Sequence, residues 1–297
     1  MKKLWIGIGF FIFFCVFCFW RAAEKSEENG IFQQESQRAV VSKKESQKES
    51  MTLPEMVIVL DPGHGGSESG AVCKYGNISV QEKDINLKIA KYMKKELESY
   101  KNVKVYLTRD SDENVKLETR VKKAVSDHAD IFISLHNNAK GEALSYKNGC
   151  TVIVPTRNYR SKISKKGQLL GCYFLDSLNQ LGIENQGLLL RTSQTNTKYP
   201  NGELCDYYNV IKNCIYHDIT GIIVEHAFID SQSDYKNFLS SEEKIKQLAK
   251  KDAQAVLRCY GEKENTEIKT VKEKITRITT GKNQQNQYQI WEFKLKK

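Results

Sequence analysis

Four polar side chains lie where the chain leaves an apolar run or enters a helix-like segment. His64 follows the run MVIVL in the turn DPGHGG, and His136 follows the run IFISL. Glu225 follows the run GIIV, and Glu82 opens an amphipathic segment. Two imidazoles and a carboxylate from separate segments are a common zinc-ligand set that leaves one position for water, and a carboxylate outside that set can take a proton from the water. The pattern predicts a site for one zinc ion, with Glu225 as its acid/base and three ligands: His64, Glu82 and His136.

Each of these residues alone also has an ordinary structural explanation. A single histidine is more often a hydrogen-bonded structural residue than a ligand, and Glu225 could cap a helix or form a salt bridge. The glycine-rich turn around His64 could cradle a phosphate, but no Lys-Ser/Thr pair follows it and the chain has no G-x-G-x-x-G. The coincidence of several such residues at strand ends favours the metal site.

The segments that must position these residues alternate between strand-like and helix-like patterns. Strands are predicted over residues 56–60, 103–107, 131–135, 149–154, within 183–192, over 207–214 and over 221–225. Helices are predicted over residues 84–100, 115–129, 164–181, briefly near 234–239, and over 242–260. This alternation predicts an α/β fold, a single three-layer domain in which helices cover both faces of a mostly parallel twisted sheet of about six strands. In such sheets, functional sites lie at the carboxyl ends of strands.

The formal net charge of +10 suggests at first a nucleic acid or an anionic surface as partner. The charge is unevenly distributed, however: residues 1–21 carry +3, residues 22–50 carry −1, and residues 263–297 carry +5. Residues 51–262 therefore carry only +3. The near-neutral middle argues against a nucleic-acid partner.

The N-terminus is typical of a membrane anchor. Residues 4–20 (LWIGIGFFIFFCVFCFW) are uncharged and follow Lys2 and Lys3, and as a helix they would be about 25 Å long, at the short limit of a membrane span. A cleaved signal peptide is the alternative, but a cut after Ala22 or Ala23 would place a large side chain where a small one is preferred. We expect an uncleaved anchor, with the rest of the chain on the extracytoplasmic side of the cell membrane. A cleaved segment would leave a secreted protein.

The chain is accordingly expected to have four parts: an anchor over residues 1–21, a disordered polar linker over 22–52, one folded domain over 53–262, and a basic polar tail over 263–297. The tail could bind anionic wall polymers or lipid headgroups, or it could be merely solvated. Outside the cytoplasm the cysteines of the domain could form disulfides, or they could be small core residues, and their spacing decides neither: Cys73, Cys150, Cys172, Cys205, Cys214 and Cys259.

Five segments in order resemble the zinc-dependent N-acetylmuramoyl-L-alanine amidases of bacterial cell walls: VIVLDPGHGGSESGAV, EKDINLKIA, VYLTRDSDENVKLETRV, ADIFISLHNNA and GIIVEHAFID. The resemblance spans residues 56–260. It implies that Glu225 is catalytic and that zinc is bound by His64, Glu82 and His136. It also implies hydrolysis, in peptidoglycan, of the amide between the lactyl group of N-acetylmuramic acid and L-alanine of the stem peptide.

Other residues of these segments have alternative roles. For Arg109 and Arg120 we favour structural ion pairs over contact with a substrate. Asp61 could orient a zinc ligand or cap a turn, and Asn138 could line the site. His226 follows Glu225 in a strand and is expected to point to the opposite face of the sheet, so it is not a predicted ligand.

The sequence also departs from the family. Gln186-Gly187 stands where many members carry Arg-Gly, which removes one expected substrate contact. The polar stretch 192–206 is expected to form a loop near the site or a surface insertion without function. The segments 140–148 and 156–163 are too short for a long inhibitory insert, so we expect an open site. A zinc peptidase acting within the stem peptide and a non-catalytic wall-binding or regulatory protein remain the alternative functions.

Overall fold

The computed structural model describes residues 55–141, 144–261, 268–278 and 287–295, which form ten strands and six helices. The strands are β1 (Met56–Pro62), β2 (Val72–Tyr75), β3 (Ile78–Gln81), β4 (Val103–Leu107), β5 (Ile131–Asn138), β6 (Cys150–Ile153), β7 (Asn185–Arg191), β8 (Thr220–Phe228), β9 (Ile268–Ile278) and β10 (Gln287–Leu295). The helices are α1 (Glu82–Leu97), α2 (Leu117–Ser126), α3 (Ser161–Asn179), α4 (Asn209–Tyr216), α5 (Gln232–Asp234), which runs into a π-helical turn (Tyr235–Leu239), and α6 (Glu242–Gly261).

The main sheet has the strand order β10-β9-β7-β6-β8-β5-β1-β4. β1 pairs in parallel with β4 and β5, and β5 pairs in parallel with β8. β6 runs antiparallel to β8 and parallel to β7, so β7 also runs opposite to β8. The predicted α/β fold with a mostly parallel sheet of about six strands is thereby confirmed for β1 and β4–β8. Beyond β7, the backbone of the region predicted as a tail continues the sheet as β9 and the antiparallel β10.

Helices cover both faces of this sheet. Side chains alternate between the two faces along each strand, so each face has apolar residues that pack against helices. On one face Ile58 and Leu60 pack in a core with residues of α1, α3 and α6, such as Phe174. On the other face Val59 and Phe132 pack with residues of α2 and α4. The three-layer arrangement predicted from the sequence is present.

Two local elements differ from the sequence-based expectation. The strand expected over residues 207–214 is the helix α4, whose buried residues Val210, Ile211, Cys214 and Ile215 share one helical face. The hairpin of β2 and β3 was not predicted. Each strand has only 4 residues, too few for a clear alternating pattern.

The six cysteines expected in the domain form no disulfide among the described residues, and all but Cys259 are buried. Burial raises the pKa of the Cys150 thiol to about 12, so this thiol stays protonated and behaves as a small apolar side chain. The core-residue alternative is therefore the one that the structure shows. The predicted anchor over residues 1–21 and linker over 22–52 lie outside the described residues, and none of the described helices is long and apolar enough to span a bilayer.

Candidate metal centre

Three side chains converge at the carboxyl ends of β1 and β5 and the start of α1. The possible ligand atoms of His64, Glu82 and His136 all lie within 4.8 Å of one another. The Nε2 atom of His64 is 3.2 Å from Oε2 of Glu82, and Nδ1 of His136 is 2.9 Å from Oε1 of the same carboxylate. The rings of the two histidines meet edge to face, with centroids 4.9 Å apart. The predicted ligands therefore form one cluster that offers two imidazoles and a carboxylate.

The turn after β1 brings its histidine to this point by an uncommon backbone conformation. His64 has a φ of 61° in the left-handed region, which few non-glycine residues adopt. The main-chain N–H of Gly63 donates to the carbonyl of Leu135 (3.0 Å), and Arg120 donates to the carbonyl of His64 (2.9 Å). These contacts hold the strained turn against β5.

Gly63 also leaves the space that the second histidine fills. A Cβ atom at this position would lie 2.2 to 2.6 Å from three atoms of the His136 imidazole. We expect Gly63→Ala to displace that ring and to weaken zinc affinity about 10- to 100-fold, as other changes around a metal ligand do. Isothermal titration with zinc measures the effect. Gly141→Ala is the control, since a Cβ there would meet no atom of the described residues within 4 Å. Equal affinity of the two variants would contradict the steric argument.

The carboxylate of Glu82 is held by more than the histidines. Its Oε1 accepts from the main-chain N–H of Asn137 (3.1 Å) and from the side chain of Asn86 (3.2 Å), and its Oε2 accepts from the N–H of Ala71 (2.9 Å). Burial opposes ionisation of this group, but the hydrogen bonds to His136 and His64 outweigh it and hold the pKa of Glu82 far below its usual range. The group is therefore ionised at neutral pH, as a metal ligand must be.

The sequence reasoning missed two residues of this shell, Asn86 and Asn137. Asn86 is one helical turn after Glu82 on the same face of α1, a spacing that brings side chains together. Asn137 directly follows His136, and its side chain donates to Asn86 (2.9 Å). The i, i+4 spacing of Glu82 and Asn86 was a usable signal.

Glu225 lies beside the cluster but outside it. β5 and β8 are neighbouring parallel strands on which His136 and Glu225 are register partners, so their side chains lie on one face, on strands about 4.8 Å apart. Burial raises the pKa of the partly buried Glu225, the negative charge of Glu82 adds to this rise, and the neighbouring imidazoles oppose it. The arrangement offers a carboxyl group beside the metal position that can both accept and return a proton.

Asp61 is a structural residue of the sheet edge and contacts none of the three candidate ligands. Its carboxylate accepts from Thr108 (2.6 Å), Ser134 (2.7 Å) and the guanidinium of Arg120 (2.7 Å). Both Arg120 and Asp61 are almost fully buried, and Arg120 also donates to the carbonyl of His64. The ion pair predicted for Arg120 is confirmed. Asp61 therefore supports the turn through its arginine partner.

We expect Arg120→Met to destabilise the domain by about 3 to 5 kcal/mol, because it leaves the Asp61 carboxylate buried without its charge partner. Chemical denaturation of the full chain measures the change. The matched control is Arg160→Met, which removes a partly exposed ion pair with Asp218 and should cost less than about 1 kcal/mol. Similar losses in the two variants would argue against a special role for the buried pair.

Arg109 makes no carboxylate ion pair among the described residues, so the ion pair predicted for it is wrong. Its buried guanidinium donates instead to four main-chain carbonyls, at distances of 2.9 to 3.0 Å: those of Pro62, Gly63, Lys83 and Ser111. These contacts tie the turn after β1 to the start of α1. A role of Arg109 in binding substrate is not supported by this placement.

The remaining predicted residues lie around the cluster without joining it. Asn138 accepts from the N–H of the next residue (3.0 Å) and has no side-chain contact with the ligands. His226 points to the opposite face of the sheet, as predicted, where it is fully buried and paired with Asp252 (2.9 Å). Its other ring nitrogen lies 2.8 Å from the carbonyl oxygen of His136. Gln186 donates to the carbonyl of Asn148 (3.1 Å).

The polar stretch 192–206 does not lie next to the cluster, contrary to one of the two expectations. It follows the carboxyl end of β7. Because β7 runs opposite to β8, that end lies at the side of the sheet opposite the carboxyl ends of β1, β5 and β8. The stretch is closed by a bridge between Thr192 and Asp206, and Asp206 accepts from the hydroxyl of Tyr199 (2.7 Å). The side chains of His64 and His136 remain 30% and 22% exposed, so the described residues leave the cluster open to solvent.

Comparison with known proteins finds similar sequences and a similar solved structure. AmiC of Escherichia coli is 48% identical over 84 residues, which cover 28% of this chain and 19% of AmiC. LytC of Bacillus subtilis is 32% identical over 220 residues, which cover 73% of this chain and 37% of LytC. Both are N-acetylmuramoyl-L-alanine amidases. The solved structure of Cwp6 from Clostridium difficile superposes with a TM-score of 0.58 at 28% identity, over 70% of this chain and 30% of that one.

The match to these relatives is partial, since this chain spans less than two fifths of the length of each of them. The family model of N-acetylmuramoyl-L-alanine amidases, in contrast, matches residues 58–258, which span the fold from within β1 to within α6 and include the whole cluster. The chain therefore belongs to the N-acetylmuramoyl-L-alanine amidase family.

Proposed function

We propose that this chain hydrolyses peptidoglycan at the amide between the lactyl group of N-acetylmuramic acid and L-alanine of the stem peptide. The observation that carries the proposal is the cluster of His64, Glu82 and His136 within 4.8 Å, in a chain of this family. The separate carboxyl group of Glu225 on the neighbouring strand supplies an acid/base beside it. We propose zinc, one ion, as the metal.

The residues present fit zinc. Imidazole nitrogen and carboxylate oxygen are ligands that zinc accepts, and the depressed pKa of Glu82 keeps its carboxylate ready to bind. The contacts of Asn86 and Asn137 orient that carboxylate, as groups around a metal ligand commonly do. When bound, zinc would acidify a water molecule and polarise the scissile carbonyl.

Glu225 then carries the proton. As a carboxylate it accepts a proton from the attacking water, and as an acid it delivers this proton to the leaving nitrogen. An amide nitrogen leaves poorly unless it is protonated, so a pKa raised by burial suits the second step. The same side chain serves both steps without becoming a metal ligand.

Digestion of purified peptidoglycan by the full chain, with and without a chelator, tests the function. We expect mass spectrometry to detect free stem peptides beginning with L-alanine, together with intact glycan strands, and we expect the chelator to stop their release. Fragments cut within the stem peptide would indicate a zinc peptidase instead. Binding to peptidoglycan without any product would indicate a non-catalytic wall protein.

We also propose that residues 1–21 anchor the protein in the cell membrane with its catalytic domain on the wall side. The support is the uncharged run 4–20 behind Lys2 and Lys3. N-terminal sequencing of the protein recovered from the membrane fraction should give Met1, and protease added to intact protoplasts should remove the domain. A protein that begins after residue 21 would show a cleaved signal.

Co-sedimentation with anionic wall polymers tests the basic region 263–297, whose +5 charge is the reason to propose that contact.

A further inference from the structure

Arg191, at the end of β7, is a cation that pairs with no carboxylate among the described side chains. Its guanidinium stacks on the ring of Tyr207, 3.5 Å from the ring centroid, and lies within hydrogen-bonding reach of the side chain of Tyr208. Its Nε atom is shielded from water and has no hydrogen-bond partner in the part of the chain that the structure describes. The ion pairs of the described residues do not include Arg191. The guanidinium therefore contacts two tyrosine side chains, and no described carboxylate accepts a hydrogen bond from it.

This cation lies on the same face of the sheet as Glu225. On β6, Ile153 is the register partner of both Ile223 in β8 and Leu189 in β7. Side chains two positions apart share a face, so Glu225 belongs with Ile223, and Arg191 belongs with Leu189. The backbone register thus places the acid/base and the cation on one face of β8, β6 and β7.

Ile153 and Ile223 are buried between them, and two partly exposed residues, Leu189 and Tyr208, lie above that core. Leu189 and Tyr208 pack against the cluster that contains Ile153 and Ile223, and both remain half-buried. Burial raises the pKa of the Tyr208 phenol, Arg191 opposes this rise, and the charge of Glu225 adds to it. Tyr208 therefore lies within electrostatic reach of both charged groups.

The spacing suits an extended peptide. Arg191 is four strand positions and two strands away from Glu225 by register, or about 13 Å along the strands and about 10 Å across them. An extended chain covers about 13 Å in four residues, and the long arginine side chain shortens the remaining gap. A peptide cleaved at its first residue beside Glu225 would bring its third or a later residue to Arg191.

We propose that Arg191, with Tyr207 and Tyr208, is a binding subsite for a carboxylate on the third or a later residue of the stem peptide. This inference rests on the proposed amidase function. It adds which group of the substrate the site recognises. A guanidinium offers parallel N–H donors that match a carboxylate, and stacking on a ring keeps its plane in place. The carboxylate can belong to the side chain of the third residue or to the peptide C-terminus, which share the same chemistry.

The test uses soluble N-acetylmuramoyl tetrapeptides in three forms: with all carboxylates free, with the third-residue side chain amidated, and with the C-terminus amidated. We expect Arg191→Met in the full chain to lower kcat/KM for the free form about 10- to 100-fold, since hydrogen bonds to a charged group contribute about 1.5 to 3 kcal/mol. The loss should appear mainly in KM. Wild type and variant should cleave equally well the form that lacks the recognised carboxylate, and this form identifies its source. Arg191→Lys should recover part of the loss.

Two controls separate recognition from folding and from catalysis. The first is Arg160→Met, which removes a different arginine of the domain, one that pairs with Asp218. The second is the zinc content and melting temperature of every variant, which should match those of wild type. An equal loss on all three probes, or no loss at all, would overturn the subsite while the amidase function stands. If wild type releases stem peptides neither from these probes nor from purified peptidoglycan, the proposed function itself is wrong and the subsite is wrong with it.

Discussion

Glutamine in place of Glu225 is expected to lower kcat for release of stem peptides by roughly 10²- to 10⁴-fold, the range associated with a lost general acid/base. The amide side chain has nearly the same shape but can neither accept a proton from water nor return it to the leaving nitrogen. Because the group acts on the chemical step, KM should change little. Steady-state kinetics with a soluble muramoyl peptide measure both constants.

The zinc content of Glu225→Gln should equal that of wild type, because Glu225 lies outside the cluster of candidate ligands. Glu118→Gln, which changes an exposed glutamate of α2, is the matched control and should leave kcat unchanged. Loss of the metal together with activity would make Glu225 a ligand. Activity close to that of wild type would remove it from the mechanism.

The second large effect is expected for Glu82→Gln, which should yield a protein without stoichiometric zinc and with activity reduced more than about 10³-fold. Glu82 carries the only negative charge of the candidate ligand set, and a neutral amide is a much poorer zinc ligand. Loss of the metal also removes several kcal/mol of transition-state stabilisation. Elemental analysis and zinc titration follow the metal, and peptide release follows activity.

Two neighbours of Glu82 on α1 provide graded controls. Asn86→Ala removes a hydrogen bond to the Glu82 carboxylate and should weaken zinc affinity about 10- to 100-fold, so added zinc should restore its activity. Asp84→Asn changes an exposed carboxylate in the first turn of the same helix and should bind zinc like wild type. If Glu82→Gln retains wild-type zinc affinity, the cluster is not the metal site.

The candidate ligands could be predicted because their positions follow from local patterns. His136 comes directly after one apolar run and His64 lies in the turn after another, and these runs form neighbouring parallel strands. Glu225 lies on the next strand of the same sheet. The carboxyl ends of parallel strands lie at one edge of the sheet. Polar residues at those ends can therefore be predicted to lie close together without information on distant contacts. The resemblance to the amidase family then assigned a role to each of them.

Residues whose role depends on their partners were predicted less well. Arg109 and Arg120 had the same expected role, yet one donates to main-chain carbonyls and the other pairs with Asp61. The segment that forms α4 has apolar residues compatible with either a strand or a helix, and its packing over the sheet decided for the helix. Residue type and spacing alone determine neither the partners of these arginines nor the secondary structure of this segment.

The sequence by itself determined the α/β alternation, the three candidate metal ligands and the separate acid/base, because hydrophobic period and strand ends are properties of short segments. Only the tertiary structure decided that β6 runs antiparallel to β8, which moves the stretch 192–206 to the far edge of the sheet and places Arg191 on the face that carries Glu225. Strand direction depends on how distant segments pack and pair. That is a property of the whole chain, and no local pattern specifies it.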